Sequence, residues 1–288
     1  MAATSFAFSW KELFRLIRLP NLLILLGAQY LAAVFLVGDF HNGWQYLTDG
    51  RLLVLATSTF LIAAAGYIIN DYYDVKIDFI NRPDQVVVGK SFKRRWAMVL
   101  HTSLSVTGVA LGLMLWWPIG VINFLCAFSL WWYSNQLKRL PLVGNLAVSL
   151  LTGASIAIIA LLYQQNERLI FTFAGFAFSI SLIREVIKDM EDLKGDATYG
   201  CRTLPIVFGI ARTKLFLAIY IAGFQTTLIA QGVILNDSIL VGYFVALLVP
   251  MVFLLYRLYW ADTQQQFGWL SAYCKALMVV GILSMVIF

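Results

Sequence analysis

Long apolar runs alternate with short polar connectors along the whole chain. A membrane helix takes about 20 mostly apolar residues to cross about 30 Å of hydrocarbon. That length predicts nine helices, over residues 16–37, 52–69, 96–115, 117–133, 142–163, 169–187, 214–234, 239–259 and 268–288. Residues 1–20 carry Lys11, Glu12, Arg15 and Arg18 with no cleavage-site pattern, and are expected to be a cytoplasmic lead-in rather than a removable signal. Two connectors are long and polar, residues 70–95 and 188–212, and each follows an expected span.

The basic residues orient these spans, because cytoplasmic loops gather Lys and Arg. With the amino terminus inside, all of the 21 Lys and Arg residues except Arg51, Arg168 and Lys275 fall on the cytoplasmic side. Lys275, in the first turns of the last helix, can reach back toward the cytoplasmic interface along its stem. The expected fold class is therefore all-α: a multi-pass protein of the cytoplasmic membrane with nine transmembrane helices, its carboxyl terminus on the opposite side. No boundary divides it, so residues 1–288 are expected to be one transmembrane domain.

Composition agrees with this picture. The chain is 61% hydrophobic and 12% charged, where soluble domains carry about 25% charged residues. A formal net charge of +6 is accounted for by orientation signals beside the bilayer, so no nucleic-acid partner is expected. Cys126, Cys201 and Cys274 are too few and too scattered for a disulfide framework or a thiolate metal site.

Candidate chemistry sits in the two polar connectors. The first opens with Asn70-Asp71-Tyr72-Tyr73-Asp74-Val75-Lys76-Ile77-Asp78, and the second holds Asp189-Met190-Glu191-Asp192-Leu193-Lys194-Gly195-Asp196. Both read D-x-x-D-x-x-x-D, with a Lys two positions after the middle Asp. Spacings of three, four and seven place each set on one helix face, where like charges repel unless a cation holds them. Nine of the 15 acidic residues (Asp71, Asp74, Asp78, Asp84, Glu185, Asp189, Glu191, Asp192 and Asp196) lie in or beside these clusters. Hard oxygen donors select Mg2+ or Ca2+, and Mg2+ typically joins one or two carboxylates to substrate phosphates. Two such clusters describe a site for a diphosphate clamped through metal ions, and Arg82, Lys90, Lys138, Lys188 and Arg202 supply further positive charge on the same side.

These motifs resemble the UbiA superfamily of intramembrane prenyltransferases. The first family motif matches Asn70, Asp71, Asp74 and Asp78 with the following Asn81-Arg82-Pro83. The second matches Asp189, Asp192 and Asp196 with the run from Thr203 to Gly209, and Arg18-Leu19-Pro20-Asn21 resembles the start of the first membrane helix. A third element, Tyr133-Ser134 through Lys138 to Gly144-Asn145, is similar to the loop after the fourth helix in the branch that includes chlorophyll synthases and the enzymes alkylating geranylgeranylglyceryl phosphate. Two departures stand out: Lys138 is five residues after Tyr133 where relatives have four, and Val86-Val87-Val88 replaces a run that usually carries a second Pro and a Ser.

The resemblance implies Mg2+-dependent transfer of a polyprenyl group from its diphosphate to a lipophilic acceptor in the membrane. Asp71, Asp74, Asp192 and Asp196, with Lys138, would act on the leaving group, and Asn70, Asp78 and Asp189 would support the metal. Asn21, Arg82, Lys90, Tyr133, Lys188 and Arg202 would bind substrate. Tyr67, Tyr72, Tyr73, Trp131 and Trp132 lie where aromatic faces would steady an allylic cation. The acceptor most like the motif pattern is geranylgeranylglyceryl phosphate, with a quinone-precursor ring such as hydroxybenzoate or homogentisate as the alternative. The oligomeric state is left open.

Rival readings fit less well. A transporter would place its carboxylates near the bilayer midplane, and a CDP-alcohol phosphotransferase needs a D-G-x-x-A-R run that the chain lacks. His41 and His101 are assigned no chemistry, and Lys93-Arg94-Arg95 is expected to anchor anionic lipid.

Overall fold

The computed structural model describes residues 9–38 and 43–288, and every regular element among them is a helix. Among the described residues, eight helices are long and apolar enough to cross a membrane: Leu19–Val37, Gly50–Asn81, Arg94–Leu115, Val143–Tyr163, Glu167–Glu191, Ile210–Ile234, Ser238–Tyr259 and Gln264–Ile287. They coincide with eight of the nine expected segments. The remaining one forms the 19-residue helix Trp117–Asn135, whose Trp, Pro and Asn residues lower its hydropathy. The described residues fall into two compact units, 9–30 with 45–138 and 31–38 with 43–44 and 139–288. His41 lies outside the described residues.

In the first unit, α1 (Trp10–Leu16) precedes α2 (Leu19–Leu31). The long helix α3 (Gly50–Asn81) then packs against α4 (Arg94–Leu115) and α5 (Trp117–Asn135). The Asp49 side chain accepts from the Arg51 amide at 2.8 Å and starts α3. Pro83 stops it, because the ring drives the preceding residue out of the helical region and Arg82 sits at φ −150°, ψ 64°. Its 32 residues span about 48 Å at about 1.5 Å per residue, so α3 is long enough to carry its last polar turns past the hydrocarbon.

Apolar side chains gain little by leaving lipid, so close packing and interhelical hydrogen bonds hold membrane helices together. Ser58 on α3 donates to the Gly108 carbonyl on α4 at 2.6 Å and accepts from Asn123 on α5 at 2.6 Å. Gly108 is required there: a Cβ would stand 2.6 Å from Ile62 and 3.1 Å from the Ser58 carbonyl. His101 on α4 is buried and its ring bonds the Ala65 carbonyl of α3 at 3.0 Å, the interhelical hydrogen bond expected of it.

The second unit contains α6 (Val143–Tyr163), α7 (Glu167–Glu191), α8 (Leu193–Thr198), α9 (Leu204–Phe208), α10 (Ile210–Ile234), α11 (Ser238–Ala246), α12 (Leu248–Tyr259) and α13 (Gln264–Leu283). Helix α7 is its centre, burying Ile180, Ile183, Val186 and Ile187 against Leu217 and Ile221 of α10 and Cys274 of α13. Antiparallel α7 and α13 approach through glycines: a Cβ on Gly281 would strike the Phe176 ring, and one on Gly268 would meet Glu191 at 3.2 Å. Pro250 separates α11 from α12, since its ring excludes a bond to the carbonyl of Ala246, where α11 ends. Thr263 and Gln266 form a capping box that opens α13.

Replacing Asn123 by Val removes its amide from the Ser58–Gly108 junction, and the expected loss is about 0.6–1.7 kcal/mol. Unfolding in detergent measures it, and an unchanged midpoint would show that this junction does not join α5 to its neighbours.

Candidate active site

The first acidic set lies on one helix, as its spacing requires. Asn70, Asp71, Asp74 and Asp78 occupy successive turns at the end of α3, all half-buried. Asp71 accepts from the Arg18 guanidinium at 3.0 Å, and Asp74 accepts from the Lys138 ammonium. The second pair is well shielded, with side-chain exposures of 10% for Lys138 and 13% for Asp74, so water screens it little and losing one partner leaves a costly charge. The Arg18 guanidinium also lies 4.8 Å over the Tyr67 ring. Burial opposes its charge, and Asp71, followed by Tyr67, Asp78 and Asp74, outweighs that and holds its pKa above the usual value. It is a permanent cation beside the carboxylates.

Other expected residues cluster in the same unit. Asn21 donates to the Tyr67 hydroxyl at 3.4 Å, and Tyr133 is half-buried in the last turn of α5. Arg82 caps α3, its amide bonded to the Asp78 carbonyl at 2.7 Å. Val87 and Val88 are buried with Leu16, Ile68 and Ala97, which pins the departing Val86-Val87-Val88 run to the helices. Gly89, at φ +85°, then turns the chain so that Lys90 is exposed. Arg94, in the run expected to anchor lipid, lies 4.4 Å over the Tyr72 ring and donates to the Tyr72 carbonyl at 3.3 Å.

The second set departs from the expected single helix face. Asp189 lies near the end of α7, the chain bends at Asp192, and Asp196 lies on α8. Backbone bonds from the Asp192 amide to the Lys188 carbonyl (2.9 Å) and from the Asp196 amide to the Asp192 carbonyl (3.2 Å) keep four-residue steps across the bend. Asp189 accepts from Asn145 at 2.9 Å and Asp192 from Lys188 at 2.7 Å. Arg202 donates its amide to the Arg139 carbonyl at 2.8 Å while its side chain is exposed.

Sequence reasoning assigned no site role to Arg18, Asn145 or Arg94. The first two stood inside motifs already singled out, and the signal for each was a cationic or amide side chain at a motif position. The partner of Arg94 lies one helix away and has no sequence signal.

Among the described residues, no three Asp, Glu, His or Cys side chains converge on a metal position by themselves. The donors are nonetheless all carboxylate or amide oxygens, and Lys or Arg already answers Asp71, Asp74 and Asp192. Such a set fits Mg2+, which is held by few protein ligands and completes its shell with water and phosphate oxygens.

An all-helical integral membrane protein with two hard-oxygen clusters facing cationic side chains is thereby defined. The chain belongs to the UbiA prenyltransferase family, whose family model matches residues 22–279. It is 34% identical over 217 residues to the digeranylgeranylglyceryl phosphate synthase of Thermococcus gammatolerans, covering 73% of this chain and 75% of that one. It is 37% identical over 183 residues to the same synthase of Korarchaeum cryptofilum, a match covering 61% of this chain and 64% of that one. The fold resembles solved UbiA homologues. The apo structure from Aeropyrum pernix K1 has TM-score 0.73, 15% identity and coverage of 93% and 97%. That from Archaeoglobus fulgidus, bound to DMAPP and Mg2+, has TM-score 0.65, 14% identity and coverage of 96% and 99%.

Lys138→Met leaves Asp74 shielded from water without its ammonium and is expected to cost about 1.5–3 kcal/mol. Thermal unfolding checks this, with Lys138→Arg keeping most of the stability and Mg2+ raising the Tm of Lys138→Met more than that of the wild type. Equal Tm values would remove Lys138 from the support of Asp74.

Proposed function

We propose that the protein transfers a geranylgeranyl group from its diphosphate to the free hydroxyl of geranylgeranylglyceryl phosphate, a step of ether-lipid synthesis. The observation that carries this reading is the pair of matched Asp sets, each held by basic or amide side chains. It is supported by the relatives named digeranylgeranylglyceryl phosphate synthase and by the neighbour bound to DMAPP and Mg2+. The chain works as one domain over residues 1–288 in the cytoplasmic membrane. Trp117–Asn135 is its ninth span, the amino terminus is inside, and both Asp sets act from the cytoplasmic side.

Asp71, Asp74, Asp192 and Asp196 hold Mg2+, with Asn70, Asp78 and Asp189 supporting. When bound, Mg2+ supplies the Lewis acid that neutralises the departing diphosphate. Lys138, Lys188, Arg82, Lys90 and Arg202 add fixed positive charge where negative charge grows as the allylic C–O bond breaks. Asn21 and Tyr133 line the donor beside Tyr67, and the aromatic rings at the ends of α3 and α5 stabilise the allylic cation. The acceptor oxygen bonds to the allylic carbon and loses its proton to the released diphosphate. Surrounding membrane helices keep water from capturing the cation.

Asp74→Ala and Asp192→Ala are each expected to abolish Mg2+-dependent diphosphate release from geranylgeranyl diphosphate, while the proteins elute as the wild type in detergent; EDTA should do the same to the wild type. Activity surviving in both variants would overturn the metal clamp. Product formed with hydroxybenzoate or homogentisate and none with geranylgeranylglyceryl phosphate would overturn the acceptor.

A further inference from the structure

Helices α7 and α13 bring two cations to one level inside the second unit. Glu191 meets Gly268 across the α7–α13 seam, and Phe176 meets Gly281 further along it. Running antiparallel, the helices keep register over this stretch, so a step of seven residues from Glu191 and from Gly268 arrives at Arg184 and Lys275. Seven residues is close to two full turns, which returns each helix to the same face about 10.5 Å along its axis. Arg184 lies within electrostatic reach of both Lys275 and the buried Cys274 next to it. The Arg184 side chain is 26% exposed and that of Lys275 half-buried. Lys275 is eleven residues into α13, about three turns, deeper than the interfacial position its sequence location suggested.

Cations at this depth in a membrane span are costly and mark functional positions. Glu185 accepts from Arg184 at 2.5 Å and fixes that guanidinium, so the group of three carries net positive charge. Arg184 precedes Asp189 by five residues on the same helix, about 7.5 Å along the axis. Asp189 and Asp192 are already answered by Asn145 and Lys188. An anion carrying about two negative charges, such as a phosphate monoester, matches a guanidinium fork and an ammonium better than a singly charged carboxylate does.

We propose that Arg184 and Lys275, with Glu185 holding Arg184, bind the phosphate of the acceptor and thereby select a phosphorylated glyceryl lipid. This rests on the reading of the acceptor given above and assigns that acceptor's phosphate to named residues. In a glyceryl phosphate the free hydroxyl is on the carbon next to the phosphate-bearing one. Arg184 is about 7.5 Å along α7 from Asp189 but about 140° around it, so a phosphate anchored on the α13 side of α7 is held at a level near the second Asp set and apart from the carboxylate that Asn145 holds.

The test is equilibrium binding of geranylgeranylglyceryl phosphate and of its dephosphorylated alcohol to the detergent-purified protein, without donor or Mg2+. The wild type is expected to prefer the phosphate form by about tenfold or more, about 1.4 kcal/mol or more. Lys275→Met and Arg184→Gln are expected to lose that preference while binding the alcohol as the wild type does, and Lys275→Arg to retain it. In steady state the KM for the acceptor should rise in Lys275→Met while the KM for geranylgeranyl diphosphate stays unchanged. A phosphate preference that persists in Lys275→Met, or a donor KM that rises equally, would overturn the inference. Wild-type protein that forms no product from geranylgeranylglyceryl phosphate would instead overturn the functional reading beneath it. Inorganic phosphate as a competitor separates the headgroup from the lipid: competition in the wild type and none in Lys275→Met supports the site, and equal competition in both overturns it.

Discussion

Carboxylates at the ends of membrane helices need answering cations, and that constraint organises this protein. A helix that stacks Asp71, Asp74 and Asp78 on one face repels itself, and lipid nearby offers no water to screen the repulsion. Arg18 and Lys138 come from distant parts of the chain to relieve it, so the folding of the first unit and the assembly of its acidic set are the same event. In the second unit Asn145 and Lys188 do this for Asp189 and Asp192, and Glu185 is answered by its neighbour Arg184.

The pairing also prepares the chemistry. In the proposed reaction, a cation that stabilises a carboxylate before substrate arrives would stay beside it when a metal takes the carboxylate oxygens, and would then face the leaving group. On that reading the electrostatic environment of the reaction is set in advance, which is how fixed charges in a dry site lower a barrier without reorganising. Interhelical junctions such as Ser58–Gly108–Asn123 keep the helices from shifting while this charge is rearranged.

The α7–α13 seam adds a deeper layer of charge. Gly268 and Gly281 let the two helices approach closely, and the register that this sets puts Arg184 and Lys275 at one level of the seam. Donor and acceptor of the proposed reaction both carry phosphate, so a protein acting on them has to sort two anionic groups, and separate cation sets at different depths provide a physical means of doing so.

Much of this was legible in the sequence. Eight of the expected spans appear as membrane-length helices because hydrocarbon thickness sets a length that local composition reveals directly. The first Asp set lies along one helix as its spacing required, since helical periodicity makes residues three, four and seven apart neighbours, whereas the second does not. The bend at Asp192, the continuation of α3 through Asn81 and the stacking of Arg94 on Tyr72 were not legible. Neither were the partners of Asp71, Asp74 and Asp189. Those depend on which helices lie side by side, and in a bilayer all apolar faces look alike to the sequence. Periodicity determines what one helix presents; only tertiary packing, through small residues such as Gly108 and Gly268 and through pairs such as Lys138 with Asp74, decides what it meets.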